Sequence, residues 1–265
     1  MSATTTERLE TGWLEDTPVE DTVLRRFLRN QGDMLEAFAL AGGGRAAEAA
    51  GVVLTDAGTD LVYQNQAVLL RPVHELDDEA LDVLDDFWAG ETRSSTLLSV
   101  LPTPDLTPRG WHLVGHPMLV VRAPGPHGHT PKPGVEVRVV ETVEDLALLE
   151  DLTIRGYPVP ELAGRPPLSI MPEGLLDSAV RYRIGSVDGE PVSTAGSYVA
   201  HGVVNLCLAA TLDAARRRGV WSSLVWARVD DAPDDVAVAY TSDYSRPGFV
   251  RMGFLPLTRC TLWVR

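Results

Sequence analysis

The stretch Asp213–Leu224, DAARRRGVWSSL, places three consecutive arginines directly before a glycine. The chain as a whole is acidic, with a formal net charge of −14 at pH 7. Two local structures would explain this concentration of positive charge. In the first, Leu208–Arg218 is a helix whose last turn carries the arginines, where cations suit the helix dipole, and Gly219 caps it. In the second, Val203–Thr211 is a strand, the arginines lie in a loop, and Gly219 begins the next helix.

The second structure puts cations beside the positive end of a helix dipole, which is unfavourable unless an anion binds there. Free backbone N–H groups at a helix N-terminus commonly bind anions. Two features favour this loop: Val203–Leu208 is β-prone, and Trp221 and Leu224 begin an apolar helical face. A short match containing glycine is weakly specific, so the residues alone leave both structures open.

The composition restricts the class of protein. With 265 residues, of which 45% are hydrophobic, the chain can form one large domain or two small ones. The negative charge argues against nucleic acid and against anionic membrane surfaces as partners. No apolar run reaches the ~18 residues of a membrane span, and the N-terminal residues lack the apolar core of a secretion signal. Cys207 and Cys260 show no disulfide or metal-ligand spacing, so we expect a reduced, cytoplasmic protein without a metal.

A segment rich in proline and glycine divides the chain. Residues 124–134 contain four prolines and three glycines, a composition that predicts a linker. His127 and His129 in this segment could chelate a metal, but without a third ligand nearby we expect a solvated linker. The linker separates a first region, residues 15–123, from a second region, residues 135–265.

The two regions are similar in sequence. Four residues recur as identical residues 138 positions further along the chain: Thr103, Asp105, Gly110 and Gly115 match Thr241, Asp243, Gly248 and Gly253. Self-similarity over a long period indicates a duplicated unit. We therefore predict two similar domains in tandem.

The hydrophobic pattern predicts the elements of both regions. In the second region it predicts strands over Val135–Val140, Arg181–Val187, Pro191–Ala200, Val203–Thr211 and Val236–Thr241, helices over Val143–Tyr157, Trp221–Val229 and Pro247–Met252, and one or two final strands over Phe254–Val264. In the first region it predicts a helix over Asp21–Ala41, a hairpin over Gly51–Val73 and an acidic helix over Leu76–Ala89. Antiparallel hairpins followed by a strand–helix–strand crossover predict an α/β protein with mixed (α+β) sheets.

Two motifs of the second region resemble the GNAT N-acetyltransferase family. In that family a frame R/Q-x-x-G-x-G/A lies between a central strand and a helix and binds the pyrophosphate of acyl-coenzyme A. Arg216 and Gly219 occupy the first two defined positions of this frame. Ser242–Phe254, SDYSRPGFVRMGF, is similar to the family's next motif, an aromatic residue, three further residues and Gly-Phe. The layout is similar to tandem actinobacterial members with a degenerate N-terminal copy.

The resemblance implies two GNAT-like domains in tandem, each a mostly antiparallel twisted sheet flanked by helices. It also implies acetyl-coenzyme A as co-substrate, a small-molecule amine as acceptor, and a monomer or homodimer. The implied cofactor site comprises Ala209, Ala210, Thr211, Arg216, Arg217, Arg218, Gly219, Val220, Trp221 and Ser222. In the first region the corresponding stretch, His74–Asp86, is acidic and would repel a pyrophosphate. We therefore expect coenzyme A to bind to the second region.

The catalytic residues depart from the family's pattern. Phe249 stands where much of the family has a tyrosine that protonates the leaving thiolate, and nearby Tyr244 is the substitute candidate. Glu161 and Glu173, in the Pro-rich segment that the resemblance places at the acceptor site, are candidates for the general base. Phe249, together with Trp221 at a position where the family prefers Gly or Ala, keeps a second hypothesis open. That hypothesis is a non-catalytic protein that binds coenzyme A or another ligand.

Overall fold

The computed structural model describes residues 22–157, 159, 162 and 164–265. Over these residues the chain forms five α-helices and thirteen strands. The helices are α1 (Val23–Ala41), α2 (Glu79–Phe87), α3 (Val143–Gly156), α4 (Val220–Val229) and α5 (Arg246–Arg251). The strands are β1 (Arg45–Ala49), β2 (Val52–Asp56), β3 (Gln66–Leu69), β4 (Thr96–Ser99), β5 (His112–Gly115), β6 (Met118–Arg122), β7 (Val135–Val139), β8 (Arg181–Val187), β9 (Glu190–Ala200), β10 (Val203–Thr211), β11 (Val236–Thr241), β12 (Leu255–Arg259) and β13 (Thr261–Val264). None of the helices in the described part of the chain is long and apolar enough to cross a membrane.

The strands form two sheets. The first has the order β1-β2-β3-β4-β13-β5 and the second the order β12-β6-β11-β10-β9-β8-β7. In the described residues each sheet has one parallel pair, β3 with β4 and β10 with β11, and its other pairs are antiparallel. A helix connects the two strands of each parallel pair, α2 in the first sheet and α4 in the second. The predicted fold class, two mixed and mostly antiparallel sheets flanked by helices, is confirmed.

The two sheets exchange one strand each. Strand β6, which precedes the linker, pairs with β11 and β12 of the second sheet. Strand β13, at the end of the second region, lies between β4 and β5 of the first sheet. The predicted boundary near residue 123 therefore does not separate the two sheets. Composition shows where regular structure stops, but it does not show which sheet the preceding strand joins.

The elements of the second region lie within a few residues of their predicted bounds, whereas the first region contains four strands that were not predicted, β1, β4, β5 and β6. The predicted hairpin over Gly51–Val73 corresponds to β2 and β3, which pair antiparallel. Strand β1 was not predicted, because its sequence RAAEA lacks the β-branched residues that favour strands. It forms by pairing with β2 through a turn at Ala50-Gly51, where both residues have positive φ.

Helix α1 joins the two sheets. It packs against β1, β2 and β3 on one side and against β9 and β10 on the other. Asn30 and Gln31 of α1 are fully buried. The Asn30 amide donates to the carbonyl of Val203 (3.1 Å), and the Gln31 side chain accepts from Asn205 (2.8 Å) and donates to Gln66 (3.1 Å). Because buried amides need these partners, the network fixes the first sheet against the second.

Candidate functional site

The site begins where the parallel strands β10 and β11 separate. On β10 only Val203–Asn205 pairs with β11, although β10 continues to Thr211. A β-bulge between Cys207 and Ala210 shifts the register against β9, and Leu208 within it has a φ of 46°. Beyond Asn205, the edge of β10 on the side of β11 therefore has no strand partner in the described residues, and an extended ligand could pair with its backbone groups.

A buried arginine supports the bulge. Arg228 of α4 is fully buried, and its guanidinium donates to the carbonyl oxygens of Gly196 (2.9 Å) and Cys207 (3.2 Å) beside the bulge. Burial lowers the pKa of Arg228 to about 10, which still leaves it protonated at neutral pH. An arginine near the end of a helix is ordinarily solvent-exposed, so no sequence pattern indicated this role.

A cleft of about 890 Å³ opens along the free edge of β10. It is lined by the end of α3, by β10 after the bulge, by the loop before α4, and by the first turns of α4 and α5. All but one of the ten predicted cofactor residues line it: Ala209, Ala210, Thr211, Arg216, Arg217, Gly219, Val220, Trp221 and Ser222.

The arginine-rich stretch is the loop of the second predicted structure, because Val203–Thr211 is a strand and α4 begins at Val220. Gly219 is the N-cap residue, with a φ of 98°, and no side chain in the described part of the protein caps the helix. The first N–H groups of α4 have no partners within the helix and lie in the cleft lining. A helix N-terminus with this arrangement can bind an anion.

The three arginines of the loop differ in their surroundings. Arg216 forms an exposed ion pair with Asp213 at 2.7 Å. Arg218 forms an ion pair with Asp188 in the turn between β8 and β9 and is not part of the cleft lining. Arg217 lines the cleft and, within the described residues, forms no ion pair. It is the loop arginine best placed to meet an anion.

Lys132, the only lysine of the chain, adds a second cation from the linker. Its alkyl chain crosses Gly219, since a Cβ at position 219 would lie 2.9 Å from Lys132 Cδ. Sequence reasoning missed this residue because it lies in the segment predicted to be a solvated linker. The linker is instead docked on α4: the His127 ring donates a hydrogen bond from Nε2 to the Asp230 carboxylate (2.9 Å) and stacks on Trp226 with ring centroids 4.1 Å apart.

Helix α2 has the position in the first sheet that α4 has in the second, and a side chain caps its N-terminus. The Asp78 carboxylate caps α2 by accepting from the backbone N–H of Ala80 at 2.9 Å. Arg71 holds this carboxylate with two hydrogen bonds, and these bonds lower the pKa of Asp78. A carboxylate of the chain itself thus occupies the place of an external anion. This supports the expectation that the first region does not bind coenzyme A.

Trp221 points from the first turn of α4 towards α5. Its indole lies edge-on to Phe249, with ring centroids 5.0 Å apart, and covers Gly248, where a Cβ would lie 2.6 Å from the indole Cζ3. Phe249 itself is buried in the core and offers no hydroxyl to the cleft. The indole therefore occupies the space between the two helices, while the backbone of Trp221 remains at the start of α4.

The predicted catalytic residues are not brought together. The Tyr244 side chain is 99% exposed on the loop between β11 and α5, at the rim of the cleft. Glu173 is exposed at the start of a short 3-10 helix, Glu173–Asp177, that packs against α1, and it does not line the cleft. Glu161 lies outside the described residues.

Sequence reasoning missed Tyr157, whose hydroxyl donates to the carbonyl oxygen of Ala209 at 3.1 Å. Burial raises the pKa of Tyr157 to about 12. The hydroxyl reaches β10 because the end of α3 approaches the strand closely: a Cβ at Gly156 would lie only 2.7 Å from the Ala210 Cβ. A glycine followed by an aromatic residue at the end of a helix was the available signal, but the contact with β10 depends on the fold.

A second, smaller cavity of about 40 Å³ lies beside the bulge. Residues from both regions line it, among them Met34 of α1, Gln64, Leu208 and Tyr240. Leu208 lines this cavity, whereas the next residue, Ala209, lines the cleft. The bulge is therefore the place where the two spaces come closest along β10.

The sequence matches no known protein-family profile and no curated protein. Solved structures, however, are similar to it. A GCN5-related N-acetyltransferase from Kribbella flavida has a TM-score of 0.64 at 21% identity, over 91% of this chain and 95% of that chain. A GNAT-family acetyltransferase from Novosphingobium aromaticivorans has a TM-score of 0.61 at 17% identity, over 92% of this chain and 98% of that chain. A functionally unknown conserved protein from Staphylococcus epidermidis has a TM-score of 0.59 at 11% identity, over 84% and 94% of the two chains.

Identities this low establish similarity of fold and not of substrate. The similarity extends over nearly the whole chain, so it includes both sheets. The chain has the fold of the GNAT N-acetyltransferases, as the resemblance of its two motifs predicted.

Proposed function

We propose that this protein is an acyltransferase that moves an acetyl group from acetyl-coenzyme A to an amine of a small molecule. The observation that carries the proposal is the cleft itself, in which a free strand edge leads to an uncapped helix N-terminus. A strand edge pairs with an amide-containing arm, and a helix N-terminus binds a diphosphate. Coenzyme A carries these two groups in one molecule.

Each part of the cleft has a role in this proposal. The arm of coenzyme A lies along Ala209–Thr211, where the two alanine side chains leave room for it. The diphosphate is held by the first N–H groups of α4 and by the side chains of Arg217 and Lys132, with Arg216 beside them. The backbone around the bulge supplies a donor for the thioester carbonyl, which stabilises the charge that develops on its oxygen. The acceptor amine reaches the same carbonyl neutral, with Glu161 as the remaining candidate base, because Glu173 does not line the cleft.

A second candidate function is a coenzyme A-binding protein without transferase activity. The observation that favours it is the burial of Phe249, which leaves α5 without a hydroxyl at the place of the family's acid. A thiol with a pKa around 8.5 is a tolerable leaving group, so this loss does not abolish transfer. Thiol release from acetyl-coenzyme A over a panel of small amines separates an enzyme from a binder.

Thermal unfolding with acetyl-coenzyme A tests the binding site. A ligand at 100 times its Kd stabilises the folded state by about 2.7 kcal/mol, so the Tm must rise if the cleft binds it. Arg217→Glu should abolish most of this rise, because it places a negative charge where the diphosphate binds. Arg29→Glu is the matched control, since Arg29 is an exposed arginine of α1 outside the cleft. An unchanged Tm of the wild-type protein in saturating acetyl-coenzyme A would rule out the proposed function.

Lys132 offers a direct readout of where the ligand binds. Because the chain has one lysine, a reagent specific for amines modifies only Lys132 and the N-terminal amine, and peptide mass spectrometry separates the two. Coenzyme A should slow modification of Lys132 without affecting the N-terminus. Equal modification rates with and without coenzyme A would show that the diphosphate does not lie beside Gly219.

A further inference from the structure

The bulge of β10 is the point at which a transfer between two bound molecules would have to occur. Ala209 lines the cleft that is proposed to hold the acyl donor, and Leu208 lines the small cavity. Leu208 and Ala209 are consecutive residues, and Leu208 has the positive φ that turns the chain there. A group that acts on the reacting carbonyl must therefore lie beside Ala209.

The hydroxyl of Tyr157 lies at this point. Its 3.1 Å hydrogen bond to the Ala209 carbonyl oxygen places it against the backbone of the bulge, within the cleft lining. The close contact between Gly156 and Ala210 fixes the end of α3 on the strand and so fixes the ring. By contrast, Tyr244 is almost fully exposed and Phe249 has no hydroxyl.

The chemistry of this hydroxyl suits donation of a hydrogen bond better than loss of a proton. With its pKa raised to about 12 by burial, Tyr157 is protonated at neutral pH. A thiolate, whose conjugate acid has a pKa around 8.5, is too weak a base to take that proton. An alkoxide-like oxygen is a far stronger acceptor, and hydrogen bonds to anionic oxygen are roughly twice as strong as neutral ones.

We propose that Tyr157 is a catalytic residue whose hydroxyl donates a hydrogen bond to the oxygen of the thioester carbonyl as that oxygen becomes negatively charged. This inference rests on the proposed function. When the amine nitrogen bonds to the carbonyl carbon, the π electron pair moves to the oxygen, and Tyr157 exchanges the Ala209 carbonyl for this oxygen. When the carbonyl reforms, the C–S bond breaks and its electron pair leaves with sulfur. A proton from nitrogen passes through water to the thiolate, and Tyr157 keeps its own proton throughout.

Tyr157→Phe removes the donor and leaves the ring. Loss of one donor to a developing oxyanion lowers kcat by a factor on the order of 100, whereas the Kd of coenzyme A should not change. Tyr182→Phe is the matched control, because Tyr182 is another buried tyrosine, lies outside both cavities, and has a hydroxyl without a hydrogen-bond partner among the described residues. It should keep the wild-type kcat. Tyr157→3-fluorotyrosine, which retains a hydroxyl, should restore most of the activity lost in the phenylalanine variant.

A readout without turnover uses S-carboxymethyl-coenzyme A, whose carboxylate places an anionic oxygen near the position of the thioester carbonyl. Tyr157→Phe should weaken its binding roughly tenfold relative to coenzyme A, since a charge-assisted hydrogen bond is lost. A kcat within threefold of wild type, or an equal loss of affinity for coenzyme A and its carboxymethyl derivative, would overturn the assignment. A larger loss of kcat in Tyr244→Phe than in Tyr157→Phe would also overturn it. If wild-type protein binds coenzyme A but acetylates no amine, the proposed reaction fails, while the carboxymethyl comparison still decides the role of Tyr157.

Discussion

The contact between α3 and β10 predicts a coupling that a double-mutant cycle can measure. Gly156 is the last residue of α3 and does not have a left-handed backbone, so alanine is compatible with its conformation. The added Cβ would nevertheless lie 2.7 Å from the Ala210 Cβ and 3.5 Å from the backbone nitrogen of Thr211. Two carbon atoms cannot remain this close, so α3 or β10 must move.

The expected changes in the free energy of unfolding follow from overpacking, from helix propensity and from the removal of the Ala210 methyl group. Overpacking of this kind lowers the free energy of unfolding by about 1–3 kcal/mol, while the higher helix propensity of alanine relative to glycine raises it by up to about 1 kcal/mol. We expect Gly156→Ala to lower the free energy of unfolding by about 1 kcal/mol. Ala210→Gly should lower the free energy of unfolding by about 1–2 kcal/mol, because a buried methyl group is lost and glycine increases the conformational entropy of the unfolded chain. In the double variant the clash is absent, so its stability should exceed the sum of the single effects by about 1–3 kcal/mol.

Urea unfolding of the wild type, both single variants and the double variant measures this coupling. Gly115→Ala is the control, because a Cβ there would have no atom of the described residues within 4 Å, and its effect should add to that of Ala210→Gly. If the effects of Gly156→Ala and Ala210→Gly also add to within about 0.5 kcal/mol, the two positions are not in tight contact. The explanation for the placement of Tyr157 would then be wrong.

Three further changes test other parts of the structure. Gly219→Ala should lower the free energy of unfolding by about 1–2 kcal/mol in chemical denaturation, because a φ of 98° is strained for alanine; a neutral effect would contradict this backbone conformation. Trp221→Ala should lower the free energy of unfolding by about 3 kcal/mol in the same assay, because the indole no longer packs on Phe249. A decrease below about 1 kcal/mol would indicate that the indole is exposed to solvent instead. Burial, with a smaller contribution from His127, lowers the pKa of His129 in the folded protein, so stability should fall as the pH drops below about 6.5. The Tm of His129→Asn should depend less steeply on pH between 7.5 and 5 than that of the wild type. An unchanged slope would show that His129 does not cause this pH dependence.

The loop structure of the arginine stretch was favoured by local signals, although the residues alone did not exclude a helix over Leu208–Arg218. A β-prone run, a glycine and an apolar helical face follow one another within Val203–Val229, and the structure has a strand, a loop and a helix there. Tyr157 and Lys132 were not predictable, because each reaches the cleft only through packing between segments distant in sequence. Once the fold is known, a glycine explains each contact. Gly156 lets the end of α3 approach Ala210, and Gly219 lets the Lys132 side chain approach the start of α4.

The internal repeat shows a different limit of sequence comparison. The offset of 138 residues equates Gly110 with Gly248. In the structure, Gly110 has a φ of 80° and precedes β5, whereas Gly253, with a φ of 85°, precedes the corresponding edge strand β12. The intervening helix α5 is replaced in the first region by a three-residue 3-10 turn, Thr107–Arg109. Short gap-free matches therefore detected related segments without giving their structural alignment, and the duplication stays a prediction.

The exchange of β6 and β13 has a consequence for how the chain is made. During synthesis β4 and β5 leave the ribosome early, but the strand that lies between them, β13, is synthesised after all the other strands. Until then the first sheet has two unpaired strand edges, which are prone to pair with other chains. The second sheet, by contrast, receives β6 before any of its other strands exist. A growing chain must therefore keep β6 available and protect the open gap between β4 and β5 until β13 has been synthesised.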